Sequence, residues 1–469
     1  MHRQPALAGT VFCSVFLLSG LSACGVTDES EPAALSISNV TVIDARSGAL
    51  PGRTVIVDGD RIVAVYAVGA ESVETLESVD GTGKFLIPGL WDMHVHLSYD
   101  DRFTATMPET FIRYGITSVR DTGGLLARLL PVVRRMRADD AIAPRVFFSG
   151  PLLDGNPVVY DGVDVPELGV GNDTAEEAAA NVAQLKEQGA SFIKIYEMTS
   201  PQVFAALVEA AERYELPIAA HVPLSMRASQ IGPSVSSIEH LRNVELDCTA
   251  DAESLLEARR ETLAGDAGGN GFKLRSAIHR MQRMDAIGSL DEETCARVLG
   301  MLETSIQVPT ARLNTLNMFP AFERDDWAEA VAEMPAEVRM EWGDSPSWFN
   351  PDPAERDLRF ARYTLDMILR MHRAGVPVGA GTDTPIAYAI PGYSLHNELE
   401  ILVAAGLTPL EALRSATVVP ASFFSLQDEM GAIAPGMRAD LVLLDANPLE
   451  DIRNTRRIDL VIARGRIMP

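Results

Sequence analysis

We predict an α/β fold for this chain, in which a (β/α)₈ TIM barrel is joined to a small β-sandwich built from both chain ends. Two observations lead to this prediction. Short apolar runs alternate with helix-like stretches through the middle of the chain, which is typical of βα repeats. Both ends instead carry short alternating strands separated by glycine and proline. A chain of 469 residues can hold one large and one small domain.

The first residues predict a targeting segment. Arg3 precedes a mostly apolar stretch over residues 7–21, too short for a good membrane span. This stretch runs into Leu-Ser-Ala-Cys-Gly at residues 21–25, which resembles the lipobox of bacterial lipoproteins. We therefore expect residues 1–23 to be a lipoprotein-type signal peptide and Cys24 to be the lipidated residue. An ordinary signal peptide cleaved at small residues is the alternative.

The segment that follows predicts the location of the protein. Residues 24–34 are rich in Asp, Glu, Ser and Pro and are expected to form a flexible tether. Gly25 stands where the inner-membrane retention signal would place Asp, so the resemblance implies an exported lipoprotein anchored in the bacterial outer membrane and facing the periplasm. The lipid anchor is then the expected membrane contact.

The two chain ends predict the β-sandwich, over residues 35–84 and 428–469. Neither end alone has enough strands to bury a sheet face, so we expect them to combine. The predicted strands are residues 35–44, 53–57, 61–67, 441–445 and 460–466.

The barrel is predicted over residues 85–427, with its active site at the C-terminal ends of its strands. Helical patterns at 174–188, 201–214 and 357–374 fill the connections. The eight predicted strands are Leu90–His96, Thr117–Asp121, Arg145–Ser149, Phe192–Tyr196, Ile218–His221, Ser237–His240, Ile306–Thr310 and Val378–Asp383.

Two segments, about 251–297 and 314–353, are longer than a simple βα connection and are expected to form lids or subunit contacts. Cys248 and Cys295 remain once the signal segment is set aside, and an oxidising compartment would permit them to pair. The sequence does not specify their separation in space.

Side chains able to bind metal follow these strands. His94 and His96 stand two residues apart, so a strand turns both imidazoles to one face, and neutral imidazole suits Zn²⁺. Lys194, His221, His240 and Asp383 lie at or near the ends of later strands, where a barrel brings them together. Taken singly, each would more often be structural.

The same segments resemble the amidohydrolase superfamily, in the branch of imidazolonepropionase-like proteins and metal-dependent Xaa-Pro dipeptidases. The resemblance runs from about residue 35 to the chain end. It is carried by Ile87–His96, Tyr114–Asp121, Phe192–Ile195, His221, Glu239-His240, Gly381–Asp383, Ala405–Leu413 and Pro435–Leu441.

This resemblance implies two divalent metal ions, with Zn²⁺ expected. His94 and His96 would bind one ion, and His221 and His240 the other. Lys194 would carry a CO₂-derived carbamate that bridges both, which removes the repulsion between an ammonium group and two cations. Asp383 would bind the first ion and act as the catalytic proton shuttle. Two such ions can hold one hydroxide and polarise a carbonyl.

Lys194 distinguishes between branches, because the deaminases and imidazolonepropionase resemble a one-metal pattern without this lysine. We therefore expect an amidohydrolase that cleaves the amide or peptide bond of a dipeptide or N-acyl amino acid. A lactonase or phosphotriesterase using the same centre is the first alternative. A non-catalytic surface binding lipoprotein is the second.

Expected substrate contacts are fewer. Tyr196 lies two residues after Lys194 and therefore on the same strand face, where its hydroxyl would bind a substrate carboxylate or an oxyanion. Only one of Arg120 and Asp121 can face the pocket, and Asp121 would brace a ligand histidine. Tyr160 is a further loop candidate, as is Arg227. The remaining histidines are expected to be solvated or structural: His279, His372 and His396.

The net charge of the chain limits the kinds of partner that it can bind. The chain has 40 basic and 65 acidic residues and a net charge of −25. Such a surface repels nucleic acid and anionic lipid, so we expect a small-molecule substrate and no nucleic-acid partner. A homo-oligomer is compatible with the sequence.

Overall fold

The computed structural model describes residues 33–67, 69, 74–265, 269–343 and 353–469. Residues 33–469 form one compact unit. Within the described residues, no helix combines the length and apolar character needed to cross a membrane.

The expectations for the N-terminal segment fall outside this part of the chain. The signal peptide, the lipidated Cys24 and nearly all of the tether precede Ala33, where the first strand begins. Export and lipidation therefore stay predictions.

Seventeen strands are present in the described residues. They are β1 Ala33–Asp44, β2 Gly48–Asp58, β3 Arg61–Ala67, β4 Thr75–Asp80, β5 Phe85–Pro88, β6 Leu90–Val95, β7 Ile116–Asp121, β8 Arg145–Phe148, β9 Leu152–Asp154, β10 Gly169–Gly171, β11 Ile193–Ile195, β12 Ile218–Ala220, β13 Ser237–Glu239, β14 Ile306–Val308, β15 Leu441–Leu444, β16 Ile458–Ala463 and β17 Arg466–Ile467.

Sixteen α-helices accompany them in the same part of the chain. They are α1 Met107–Arg113, α2 Leu126–Met136, α3 Ala175–Glu187, α4 Pro201–Arg213, α5 Ala228–Ile231, α6 Val244–Asp247, α7 Ala252–Gly265, α8 Gly271–Gly288, α9 Glu292–Gly300, α10 Ala311–Asn314, α11 Trp327–Ala332, α12 Ala336–Trp342, α13 Glu355–Arg373, α14 Tyr393–Ala404, α15 Pro409–Ser415 and α16 Val418–Phe423. Short 3₁₀ turns lie at Gly232–Ser234, Ala321–Glu323 and Ile452–Arg456.

Strands from both chain ends form one eight-stranded sheet. Its order is β17-β16-β15-β5-β1-β2-β3, with β4 pairing β1. The C-terminal β15 runs antiparallel to β5, from Leu441 opposite Pro88 to Leu444 opposite Phe85. Apolar side chains of both ends fill one buried cluster on this sheet. The chain ends therefore combine in one β domain, while its packing as a two-sheet sandwich stays a prediction.

The middle of the chain is built from parallel strands that follow each other in sequence. β6, β7 and β8 pair in parallel, and so do β9, β11, β12, β13 and β14. A backbone hydrogen bond of 2.8 Å from Ser191 to Phe148 links the two groups. The helices pack outside these strands over the largest apolar core. This arrangement is consistent with a TIM-barrel-like domain.

The eighth predicted strand, Val378–Asp383, forms only isolated bridges. Val378 bridges Gln307 on one side, and Thr384 bridges Val95 on the other. The Thr382 amide is shared between the His94 carbonyl at 3.3 Å and the Asp92 carboxylate at 3.0 Å, so a side-chain contact is added to the backbone bonds with β6. A φ of 63° at Asp383 also turns the backbone out of an extended conformation.

The first long insertion contains α7 and α8 and is closed by a disulfide between Cys248 and Cys295. A backbone hydrogen bond of 2.9 Å from Asp291 to Cys248 lies beside it. The sequence left this pairing open.

Candidate metal centre

All six predicted metal ligands line one cavity. They come from four strands or the residues directly after them (β6, β11, β12 and β13) and from the chain around Asp383, and each is buried. The sequence separates them widely, so their meeting follows from the parallel strand order. The predicted ligands are His94, His96, Lys194, His221, His240 and Asp383.

The first half of the centre contains His94, His96 and Asp383. Oδ1 of Asp383 lies 3.2 Å from Nε2 of each histidine. One ligand atom from each residue lies within 4.8 Å of the others, which is a spacing that can hold a metal ion. Burial alone would raise the pKa of Asp383, but the surrounding histidines outweigh it and hold its pKa well below the usual range.

The second half adds His221, His240 and Lys194. The ring centre of His240 lies 4.6 Å from that of His94 and 4.7 Å from that of His221, so the four rings form a continuous group. His240 has a left-handed φ of 65°, as Asp383 does. Such backbone conformations are unfavourable for residues other than glycine and cluster at functional sites.

Each of the four histidines is held through Nδ1, which leaves Nε2 as the nitrogen for a metal. Fixing one ring nitrogen in this way sets the tautomer and the ring orientation. The Nδ1 partners are Glu239 for His94 (2.6 Å), the Gly123 carbonyl for His96 (2.9 Å), Glu197 for His221 (2.8 Å) and Thr310 for His240 (2.6 Å).

Lys194 of the second half lies on β11. Its side chain is 1% exposed, and Nζ has no hydrogen-bond partner among the described residues, although Oε1 of Glu239 is 3.9 Å away. Burial lowers the pKa of Lys194 to about 7. A large neutral fraction near pH 7 makes the amine nucleophilic, which is what reaction with CO₂ requires.

The sequence did not assign a role to Glu239, which precedes His240. This carboxylate accepts hydrogen bonds from Arg120 (2.7 Å) and Ser237 (2.7 Å) in addition to its contact with His94. Arg120 is fully buried and also donates to the Met93 carbonyl at 2.5 Å. Of the two candidates on β7, Arg120 therefore points inward and supports a ligand histidine through Glu239.

A second carboxylate, Glu197, was also missed. It contacts His221, and it accepts from Arg242 at 2.9 Å and from His279 at 2.5 Å. Arg275 lies 3.5 Å from the same carboxylate. Burial alone would raise the pKa of Glu197, but the contacts with His279, Arg275 and Arg242 outweigh it and hold its pKa well below the usual range.

The comparisons with known proteins agree with this geometry. The Amidohydrolase family model matches residues 85–468, which is most of the chain. The chain belongs to the amidohydrolase family. It is 24% identical to an imidazolonepropionase from Micrococcus luteus over 87% of this chain and 92% of that protein. It is 40% identical to an ochratoxinase from Aspergillus niger, but over only 17% of this chain and 16% of that enzyme.

Solved amidohydrolase structures share the fold. A proposed prolidase from Bifidobacterium longum is 25% identical with a TM-score of 0.67, over 93% of this chain and 94% of that chain. A Xaa-Pro dipeptidase with bound methionine in the active site is 20% identical with a TM-score of 0.65, over 92% and 99% of the two chains. These relatives support a hydrolase that acts on carbon–nitrogen bonds, in a family that generally uses a divalent metal.

In this amidohydrolase, Tyr196 and Tyr160 form an aromatic wall of the cavity. The ring of Tyr196 lies 4.3 Å from that of His221, and its hydroxyl accepts a hydrogen bond of 3.0 Å from Arg275. Arg242 also lines the cavity and brings a positive charge to it.

Other sequence candidates lie away from the cavity. Asp121 accepts hydrogen bonds from the backbone of Leu97 (2.7 Å) and Gly123 (3.3 Å), so it orders the loop that holds His96. Arg227 pairs with Glu253 instead. His396 is buried and structural, as expected: it contacts the Thr455 hydroxyl and the Tyr114 carbonyl. His279, expected to be structural or solvated, instead contacts the carboxylate that holds His221.

Proposed function

We propose that this protein is a binuclear metal-dependent amidohydrolase that cleaves the amide or peptide bond of a dipeptide or N-acyl amino acid. One observation carries the proposal. Four histidines with engaged Nδ1 atoms, one buried lysine whose Nζ makes no hydrogen bond, and one aspartate line a single cavity in the described structure.

The donor set fits two divalent ions. His94, His96 and Asp383 would hold one, and His221 with His240 the other, since imidazole and carboxylate suit Zn²⁺. Nζ of Lys194 is a buried polar atom without a hydrogen bond among the described residues, and addition of this amine to CO₂ with loss of one proton would give a carbamate that supplies anionic oxygen ligands there. When bound, such ions polarise a carbonyl and lower the pKa of water to roughly 7.

The chain's own residues would perform the remaining steps. The carboxylate of Asp383 lines the cavity, so it can accept a proton there and return it to the leaving amine. Arg242 and the Tyr196 hydroxyl would orient a substrate carboxylate by charge and hydrogen bonding.

The named relatives support an amide or peptide substrate over the alternatives, because they include a Xaa-Pro dipeptidase and an ochratoxinase. We also propose that the parallel strands close into an eight-stranded barrel, which the bridges at Val378 and Thr384 support. Export as a lipoprotein is proposed as well, and the Cys248–Cys295 disulfide supports it since such bonds persist in oxidising compartments.

A Lys194→Ala variant tests the proposal, with Lys186→Ala on the exposed surface of α3 as its control. We expect Lys194→Ala to bind less metal, to lose a carbamate signal in ¹³C NMR with labelled bicarbonate, and to lower turnover at least about 100-fold. Prolyl dipeptides, N-acyl amino acids, lactones and phosphotriesters form the substrate panel. Full turnover by Lys194→Ala, or hydrolysis of lactones or phosphotriesters alone, would contradict the proposed activity.

A further inference from the structure

Helix α8 belongs to the insertion between Cys248 and Cys295, yet it reaches the candidate metal centre. His279 on α8 is 6% exposed, and its Nε2 lies 2.5 Å from Oε2 of Glu197. The insertion therefore does more than cover the barrel, since one of its side chains contacts the carboxylate that holds His221.

The two oxygens of Glu197 have different partners. Oε1 contacts Nδ1 of His221 and accepts from Arg242, while Oε2 contacts His279. The terminal torsion of a glutamate is broad, so a carboxylate held at one oxygen can rotate. The His279 contact stops that rotation and thereby keeps Oε1 in line with the His221 ring.

The other ligand histidines do not depend on the insertion in this way. His94 is held by Glu239, which Arg120 on β7 fixes in turn. His96 is held by the Gly123 carbonyl and His240 by the Thr310 hydroxyl. These partners lie two residues after the ends of β7 and β14, respectively. Among the described contacts, the His221 side of the centre is thus linked, through Glu197, to helix α8 of this insertion.

We propose that His279 is a positioning residue that sets the metal affinity of the His221 side of the centre. This inference rests on the proposed binuclear function. It assigns an active-site role to the insertion, whose covalent closure at Cys248–Cys295 keeps α8 against Glu197. The ion held by His94, His96 and Asp383 should be insensitive to the same change.

The experiment compares the full-length wild type with His279→Ala, His279→Gln and Met281→Ala. Met281 is on the same helix but 58% exposed, so it is the matched control. Zn²⁺ stoichiometry is measured by mass spectrometry, and the two dissociation constants by competition with a chromogenic chelator. We expect His279→Ala to lower the affinity for one Zn²⁺ ion about 10–100-fold and to leave the affinity for the other ion unchanged.

Glutamine can still donate a hydrogen bond to Glu197, so His279→Gln should restore most of the lost affinity. If His279 had a purely structural role, its loss would lower the affinity for both ions or for neither, and His279→Gln would not selectively restore the affinity for one of them. Should His279→Ala fail to fold, His279→Asn, which is shorter than Gln, replaces it in the comparison. Two ions of wild-type affinity in the alanine or asparagine variant would overturn this inference alone. A wild type without stoichiometric metal would overturn the proposed function and this inference with it.

Discussion

Arg120→Met should be strongly destabilising, because it removes a fully buried charge partner. Arg120 and Glu239 are both 0% exposed, and their charged atoms are 2.7 Å apart. Breaking a buried ion pair leaves the remaining charge uncompensated, which typically lowers the free energy of unfolding by about 3–5 kcal/mol. The hydrogen bonds from Arg120 to Ser237 (2.9 Å) and Met93 (2.5 Å) would be lost as well.

The assay is urea unfolding of the metal-free protein, followed by tryptophan fluorescence. Arg128→Met is the control, since Arg128 pairs with Asp101 at the surface and should change the free energy of unfolding by less than about 1 kcal/mol. Adding Glu239→Gln to Arg120→Met removes the uncompensated charge, so the double variant should recover at least about 2 kcal/mol. An Arg120→Met variant no less stable than the Arg128→Met control would refute this reasoning.

Two further predictions concern stability. Replacing both Cys248 and Cys295 by alanine should lower the free energy of unfolding by about 4 kcal/mol, as the entropy of closing a loop with a sequence separation of 47 implies; a change below about 1 kcal/mol in urea unfolding would contradict it. Burial lowers the pKa of His396 to about 3, so the unfolded chain, with an ordinary histidine pKa, takes up a proton first as the pH falls below about 6.5. Stability from this group is therefore lost toward pH 3 at up to about 1.4 kcal/mol per pH unit, and His396→Gln should show a shallower loss between pH 6 and 4.5; equal slopes would count against it.

The ligand positions were predictable because strand periodicity and strand ends are local properties of the sequence. His94 and His96 share a face through their spacing, and Lys194 and Tyr196 follow the same rule. The last strand was less predictable. Its glycines pack closely on β6. A Cβ at Gly379 would lie 2.3 Å from the Met93 sulfur, and a Cβ at Gly381 would lie 2.8 Å from the His94 Cβ.

The groups that hold the ligands were missed because their roles depend on tertiary contacts. Glu197 and Glu239 look like ordinary acidic residues, and their one signal is a carboxylate at the end of an apolar run. Arg275 and His279 stand four residues apart on one helix face, so the sequence predicts that they can contact the same group. It does not identify that group as Glu197. No local pattern links residue 279 to a strand that ends at residue 195.

The pairing of β15 with β5 has a consequence for biosynthesis. β5 leads directly into β6, which carries His94, while β15 lies much later in the chain and leaves the ribosome long after β5. Until Leu441–Leu444 has emerged, the nascent chain presents β5 with an open edge that can pair with another molecule. Premature termination before this strand would thus yield an aggregation-prone product in place of a shortened enzyme.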